Sequence, residues 1–179
     1  KAVAAIKPFV SDLSTWYIRR SRDRVGPTAV DKADRDLAYT TLRTVFVVLS
    51  QAVSPVIPFI SEFIYRHLTG EASVHLTDWP AVGTPEVIDQ NLIRNMAEVR
   101  RIVEAGHAFR KTHNIAVKQP LAELTVKGNF KDITADNQLI QLIKDELNVE
   151  EVKFEKGKTL SVDFDTELTP HLIAKGKAR

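Results

Sequence analysis

Apolar residues recur every three or four positions along the first two thirds of this chain and every second position near its end. The period alone therefore separates a helical part from a part that contains strands. Ile6, Phe9, Val10, Leu13 and Tyr17 form one helical stripe, which Gly26-Pro27 ends. Leu37, Thr41, Val45, Val48 and Ala52 form a second, with Asp31 or Asp34 as its cap and Pro55 as its stop. A third opens at Pro58, where proline suits the first turn, and runs through Ile60, Phe63, Ile64 and Leu68 to Gly70. Glu62 lies near its start, favourable for the helix dipole. After an extended link from Ser73 to Pro80, a long helix from about Glu86 to His113 presents Ile88, Leu92, Met96, Val99, Val103 and Gly106.

Past residue 115 the pattern alternates. Ala122, Leu124 and Val126 interleave with Glu123, Thr125 and Lys127; Val152 and Phe154 with Glu151, Lys153 and Glu155; Leu160, Val162 and Phe164 with Ser161, Asp163 and Asp165. These are three half-buried strands. Between the first two, a helix begun at Thr134 or Asp136 and closed near Asn148 turns Leu139, Ile140, Ile143 and Leu147 inward. A parallel crossover joins the first two strands by default, and Lys156-Gly157-Lys158 reads as a hairpin turn before the third. The predicted fold class is mainly α: a four-helix bundle over residues 1–113, then a small α/β domain over 114–179 in the order strand, helix, strand, strand.

Composition narrows the chemistry. A chain of 179 residues, 44% hydrophobic and 27% charged, can bury one large core or two small ones. It has no cysteine, which excludes disulfides and thiolate metal sites. No apolar run approaches the ~20 residues that span a bilayer, so the expectation is a cytoplasmic protein without a membrane partner. The opening at Lys1 inside a helical pattern, and the stop at Arg179, suggest a piece of a longer polypeptide.

Net charge is only +2, yet Leu13 to Arg24, L-S-T-W-Y-I-R-R-S-R-D-R, holds four arginines against one aspartate. A local positive field of this kind suits an anionic partner. Projected at 100° per residue, Arg20 and Arg24 continue the buried stripe, where their stems would cover the bundle and their heads reach water or pair with Asp31, Asp34 or Asp36. Arg19 and Arg22 face outward, where guanidinium groups suit phosphate oxygens. Trp16 flanks the stripe and reads first as a packed residue, second as a base-stacking one. A second basic group, Arg110, Lys111, His113 and Lys118, surrounds the passage from helix to strand, and reads as either a solvated hinge or a contact. Val74, Leu76 and Trp79 read as a segment pinned to the bundle by apolar side chains.

Enzyme signatures are missing. No two of the five histidines stand at i, i+4, and there is no H-E-x-x-H, G-x-S-x-G, Walker loop or G-x-G-x-x-G. Glu150 and Glu151 are adjacent, so in a strand they face opposite sides and cannot share a substrate.

The arginine stretch, P-F-I-S-E-F-I-Y at Pro58 to Tyr65, S-V-H-L-T-D-W-P at Ser73 to Pro80, K-Q-P-L at Lys118 to Leu121 and E-L-N-V at Glu146 to Val149 occur in an order that resembles the C-terminal, tRNA-binding part of class I isoleucyl-tRNA synthetases. The likeness runs from about Phe9 to Arg179. It implies a helical anticodon-binding domain followed by a small α/β junction domain. It also implies a parent enzyme that joins isoleucine to its tRNA using ATP, with magnesium at the catalytic site. The family's H-I-G-H and K-M-S-K-S motifs are absent, so this portion would bind without catalysing and hold no cofactor. Its partners would be isoleucine tRNA and the catalytic domain of the same polypeptide, and its tRNA-binding residues Arg19, Arg22, Arg20, Arg24, Trp16, Arg110, Lys111 and Lys118.

This chain departs from the family pattern at Thr15, often asparagine; at Asp23, which interrupts an arginine run; at Val25, usually aromatic; and at Lys118, usually arginine. Asp23 lowers the local charge, and Lys118 keeps charge without the planar fork. Valyl-tRNA synthetase is the nearest rival, but it ends in a coiled coil, and here strands follow instead of heptads. A non-enzymatic protein-interaction module is the rival from another class.

Overall fold

The computed structural model describes residues 2–27, 29–81, 88–167 and 169–177. It is mainly helical with one small mixed sheet, and it divides into two compact units, Lys1–Val82 and Gly83–Arg179.

In the first unit, α1 (Ala2–Asp12) continues into a π-helical segment (Leu13–Ile18), followed by the short α2 (Arg22–Val25). Asp31 caps α3 (Lys32–Val53) by accepting the amides of Ala33 and Asp34. Pro58 opens α4 (Pro58–Thr69), and Gly70 closes it in the left-handed conformation at φ 78°. A 3-10 turn (Val74–Leu76) follows, capped by Ser73.

The helices of this unit meet through unexpected residues. The buried positions of α3 are Ala38, Ser50 and Val53, and those of α4 are Ser61 and Tyr65. The serines can be buried because each hydroxyl donates to a carbonyl one turn back, Ser50 to Phe46 and Ser61 to Ile57, so neither leaves an unmet polar atom. Small side chains let α3 and α4 pack directly, and Arg43 Nε on α3 donates to the Leu68 carbonyl on α4. The expected apolar stripes turn outward in part: Leu37, Val48, Ile60 and Phe63 are exposed, as are Phe9 and Val10 on α1, and Phe59 is 90% exposed. Ile6, Phe9, Val45 and Val48 line an apolar groove of about 420 Å³ between α1 and α3.

The second unit is built on α5 (Gln90–Thr112), whose cap Asp89 accepts the amides of Asn91 and Leu92. The helix therefore starts later than the expected Glu86, and residues 82–87 lie outside the described ones. There follow β1 (Leu121–Gly128), α6 (Lys131–Thr134), α7 (Asn137–Leu147), β2 (Val149–Lys156), β3 (Ser161–Phe164) and α8 (Pro170–Lys177). Asp136, one of the two expected caps, starts α7, and Asn148 ends it at φ 50°. Helix α5 packs on α7 and β3, so the boundary placed at residue 113 falls within this unit, at the end of α5.

Strand order is β2-β1-β3. The β1–β2 pair is parallel, as expected, with Leu124 opposite Val152 and Val126 opposite Phe154. The β1–β3 pair is antiparallel, with Leu124 opposite Phe164. The Lys156-Gly157-Lys158 hairpin is thereby corrected: β2 and β3 flank β1 on opposite sides, and the link crosses the end of β1, where the Gly157 amide donates to the Gly128 carbonyl. A parallel crossover leaves β1 with one free edge, and β3 takes it. Val99, Ile102, Val103, Leu121, Leu124, Val126, Ile143 and Leu147 are all buried, making a closed core. Gly106 lets α5 approach α7 closely, since a Cβ there would stand 2.5 Å from Leu147 Cδ1.

Candidate nucleic-acid interface

The arginine cluster sits where α1 changes its winding. Within Leu13–Ile18 the backbone is π-helical, Thr15 Oγ1 donates to the Ser11 carbonyl at 2.8 Å, and Arg19 Nε donates to the Thr15 carbonyl at 2.7 Å. Ser21 breaks the helix before α2. A π turn holds more residues than an α turn, so a constant 100° projection loses register across these six positions. Arg20, placed by that projection on the buried stripe, is exposed.

Arg24 does what was expected of it. Its Nε and Nη2 donate to the two carboxylate oxygens of Asp34 at 2.8 and 2.7 Å, a bidentate pair across α2 and α3. The Asp34 hydrogen bond raises the Arg24 pKa, and Arg24 holds the Asp34 carboxyl below its ordinary value. Tyr39 Oη also ties α3 to this turn by donating to the Val25 carbonyl at 2.8 Å. With Arg24 engaged, Arg19, Arg20 and Arg22 are the exposed guanidinium-bearing residues of the stretch, while Trp16 is half-buried.

The second basic group divides sharply. Arg110 is 1% exposed. Its Nη1 donates to the carbonyls of Ala116 and Gln119, both at 3.0 Å, and its Nη2 to those of Leu147 at 2.6 Å and Asn148 at 3.3 Å. Its Cζ lies 5.3 Å from the centroid of the Phe164 ring. The expectation that Arg110 contacts tRNA is therefore corrected: burial and four carbonyls occupy the group inside its own unit, and burial lowers its pKa. Lys111, His113 and Lys118 are exposed, and the His113 ring stacks on Phe109 at 3.9 Å.

Two of the blocks that carried the family resemblance thus have a structural reading. K-Q-P-L and E-L-N-V supply three of the carbonyls that Arg110 holds, those of Gln119, Leu147 and Asn148. A third block, P-F-I-S-E-F-I-Y, contributes Glu62, whose Oε2 accepts the Ser73 hydroxyl and the Val74 amide, each at 2.9 Å. The Val74 amide holds the Glu62 carboxyl below its ordinary pKa. Of the segment expected to be pinned by apolar contacts, only Val74 is buried; Leu76 is 80% and Trp79 68% exposed. A carboxylate pins it instead. Sequence reasoning placed Asn148 at the end of a helix but missed its second role, since it adopts a left-handed φ and donates from Nδ2 to the Val117 carbonyl. An asparagine just past a predicted helix was the available signal.

A helical unit with exposed arginines past its first helix, joined in sequence to a mixed α/β unit, presents a local positive field that suits an anionic partner. Residues 1–126 match the family described as the anticodon-binding domain of tRNA ligase, and the chain belongs to that family. The isoleucine–tRNA ligase of Chlamydia trachomatis serovar L2b is 46% identical over 157 residues, covering 84% of this chain and 15% of that protein. The isoleucine–tRNA ligase of Deinococcus radiodurans is 42% identical over 178 residues, covering 97% of this chain and 16% of that protein. That of Chlamydia caviae is 40% identical over 158 residues. The chain spans about 15% of the length of these curated relatives.

Proposed function

We propose that this chain is the anticodon-arm-binding portion of an isoleucine–tRNA ligase. The match to the anticodon-binding family over residues 1–126 carries the proposal, and the relatives at 40–46% identity, each an isoleucine–tRNA ligase, favour isoleucine over valine. The parent joins isoleucine to its tRNA using ATP and magnesium bound elsewhere on the polypeptide, in the cytoplasm. This portion grips RNA and makes no bond.

Arg19, Arg22 and Arg20 neutralise phosphates, with Lys111 and Lys118 as a second group. Trp16, half-buried, steadies the arginine segment and keeps one edge available for stacking. Arg24 serves by holding α2 against α3 through Asp34. No helix among the described residues is long and apolar enough to cross a membrane.

The test is binding of the chain to isoleucine tRNA, and to the same tRNA with a changed anticodon, over a salt series. Tighter binding to the unchanged tRNA supports anticodon reading. Equal binding reduces the chain to a phosphate grip, and no binding at low salt refutes the proposal.

A further inference from the structure

Buried Arg110 holds the backbone of the loop that follows it. The loop from Asn114 to Gln119 joins α5 to β1, and three of its backbone oxygens accept side-chain donors. Arg110 Nη1 donates to the carbonyls of Ala116 and Gln119, and Asn148 Nδ2 donates to the Val117 carbonyl at 3.1 Å. In a planar trans peptide the carbonyl of one residue and the N–H of the next point in opposite directions, and no cis peptide occurs among the described residues.

The carbonyls of Ala116 and Val117, engaged by Arg110 and Asn148, therefore turn the amides of Val117 and Lys118 away from those donors. Among the described residues no acceptor is seen for either amide, and both residues are exposed. The inward carbonyl of Gln119 precedes Pro120, which has no N–H to orphan. Ala116–Gln119 is a turn closed by the Gln119 amide on the Ala116 carbonyl at 3.0 Å, and successive unpaired amides of a turn can bind an anion; Lys118 places its own ammonium on the same stretch of chain, with exposed Lys111 one turn before the loop.

We propose that the amides of Val117 and Lys118, together with the Lys118 side chain, bind a backbone phosphate of the RNA, and that Arg110 and Asn148 are positioning residues for this grip. The identity of the phosphate's owner rests on the tRNA reading above; the loop's capacity for phosphate does not. Arg110 contributes without touching RNA. Its charge is spent on carbonyls so that the opposite sides of the same peptides can serve the ligand.

The experiment is amide NMR of the 179-residue chain, titrated in parallel with an anticodon stem-loop RNA and with inorganic phosphate, together with binding isotherms for variants. Asn148→Gly is the key variant, because glycine accepts a φ of 50° while the side-chain anchor to Val117 is removed. Arg110→Lys is the companion, as it retains charge but loses the planar fork. RNA should shift the Val117 and Lys118 amides and slow their exchange. Asn148→Gly should weaken RNA binding roughly 2- to 10-fold at temperatures well below Tm, where losing one intramolecular hydrogen bond leaves the chain folded. Lys118→Ala should cost less in that background than alone, since a loosened loop no longer presents the lysine.

RNA binding with the two amides unmoved, or full additivity of Asn148→Gly and Lys118→Ala, overturns the proposal. A chain that shifts these amides with phosphate but ignores RNA keeps the loop site and refutes the tRNA reading. Silence toward both refutes both.

Discussion

Arg24 and Arg110 carry the same guanidinium group to opposite ends, and the contrast extends to the units that hold them. Arg24 sits at a surface, its side chain 41% exposed, and pairs with one carboxylate. Arg110 is enclosed by four carbonyls and an aromatic ring. Around Arg110 lies a closed apolar core of Val99, Ile102, Leu124, Val126 and Ile143. Around Arg24 lies a unit whose helices meet over Ala38, Ser50 and Ser61 while Phe59, Phe63 and Leu37 face outward. Charge alone does not mark a binding residue. What separates these two is whether the group reaches solvent.

The contrast is broken most directly by truncating one apolar side chain in each unit. Leu124→Ala should cost about 2–5 kcal/mol in chemical denaturation, the usual range for a fully buried leucine. Phe59→Ala should stay within about 0.5 kcal/mol despite the larger side chain removed. Equal losses would show that the outward face of α4 is packed after all. Next in size, Gly106→Val should lower stability by about 1–3 kcal/mol, because the added atoms enter space held by Leu147. A neutral result would mean that α5 and α7 can separate freely.

A smaller effect distinguishes the carboxylates of the first unit by pH. The Glu62 pKa is held below its ordinary value by the Val74 amide, so the folded state favours the ionised form. That contribution is complete above the ordinary glutamate range and is lost as pH falls through the lowered folded value. In Glu62→Gln, Tm should accordingly fall less on acidification than in the unaltered chain. Parallel Tm curves would contradict the clamp. Smallest of all, Asp34→Asn should reduce Tm slightly at low salt and less at high salt, since the pair with Arg24 is open to solvent.

Periodicity located the helices and strands because each element buries some apolar face, and capping chemistry marked their starts. Asp31, Pro58 and Asp136 open α3, α4 and α7, and Gly70 and Asn148 close the latter two, all for local backbone reasons. What periodicity did not convey was which face is buried. In α4 Ile60 and Phe63 of the apolar stripe are exposed, Ile64 and Leu68 are half-buried and a serine is inward, because a hydroxyl satisfied by its own helix can replace an apolar contact where helices approach closely. The sheet order was illegible for a related reason. Alternation in β3 is the same whether it pairs with β2 or β1, and only the free edge left by the parallel pair decides.

The site was partly legible. The pairing of Arg24 with a nearby aspartate followed from spacing, whereas the exposure of Arg20 did not, because the π-helical segment alters the projection. Burial of Arg110 was not visible either. Its four acceptors are backbone carbonyls, at Ala116, Gln119, Leu147 and Asn148, and two of them lie 37 and 38 residues away. Carbonyls carry no residue signature, so a cation that uses them looks identical in sequence to one that is free.

The central claim is that the exposed arginines at the end of α1 meet RNA phosphates. Its most direct measurement is the salt dependence of tRNA binding by the chain and by the double variant Arg19→Ala/Arg22→Ala, with Tm recorded for both. Loss of two phosphate contacts should weaken binding and make the log–log salt slope shallower by about 1.4 to 1.8, at roughly 0.7 to 0.9 per contact, with Tm unchanged. An unchanged slope, or a fall in Tm that accounts for the lost binding, would contradict it.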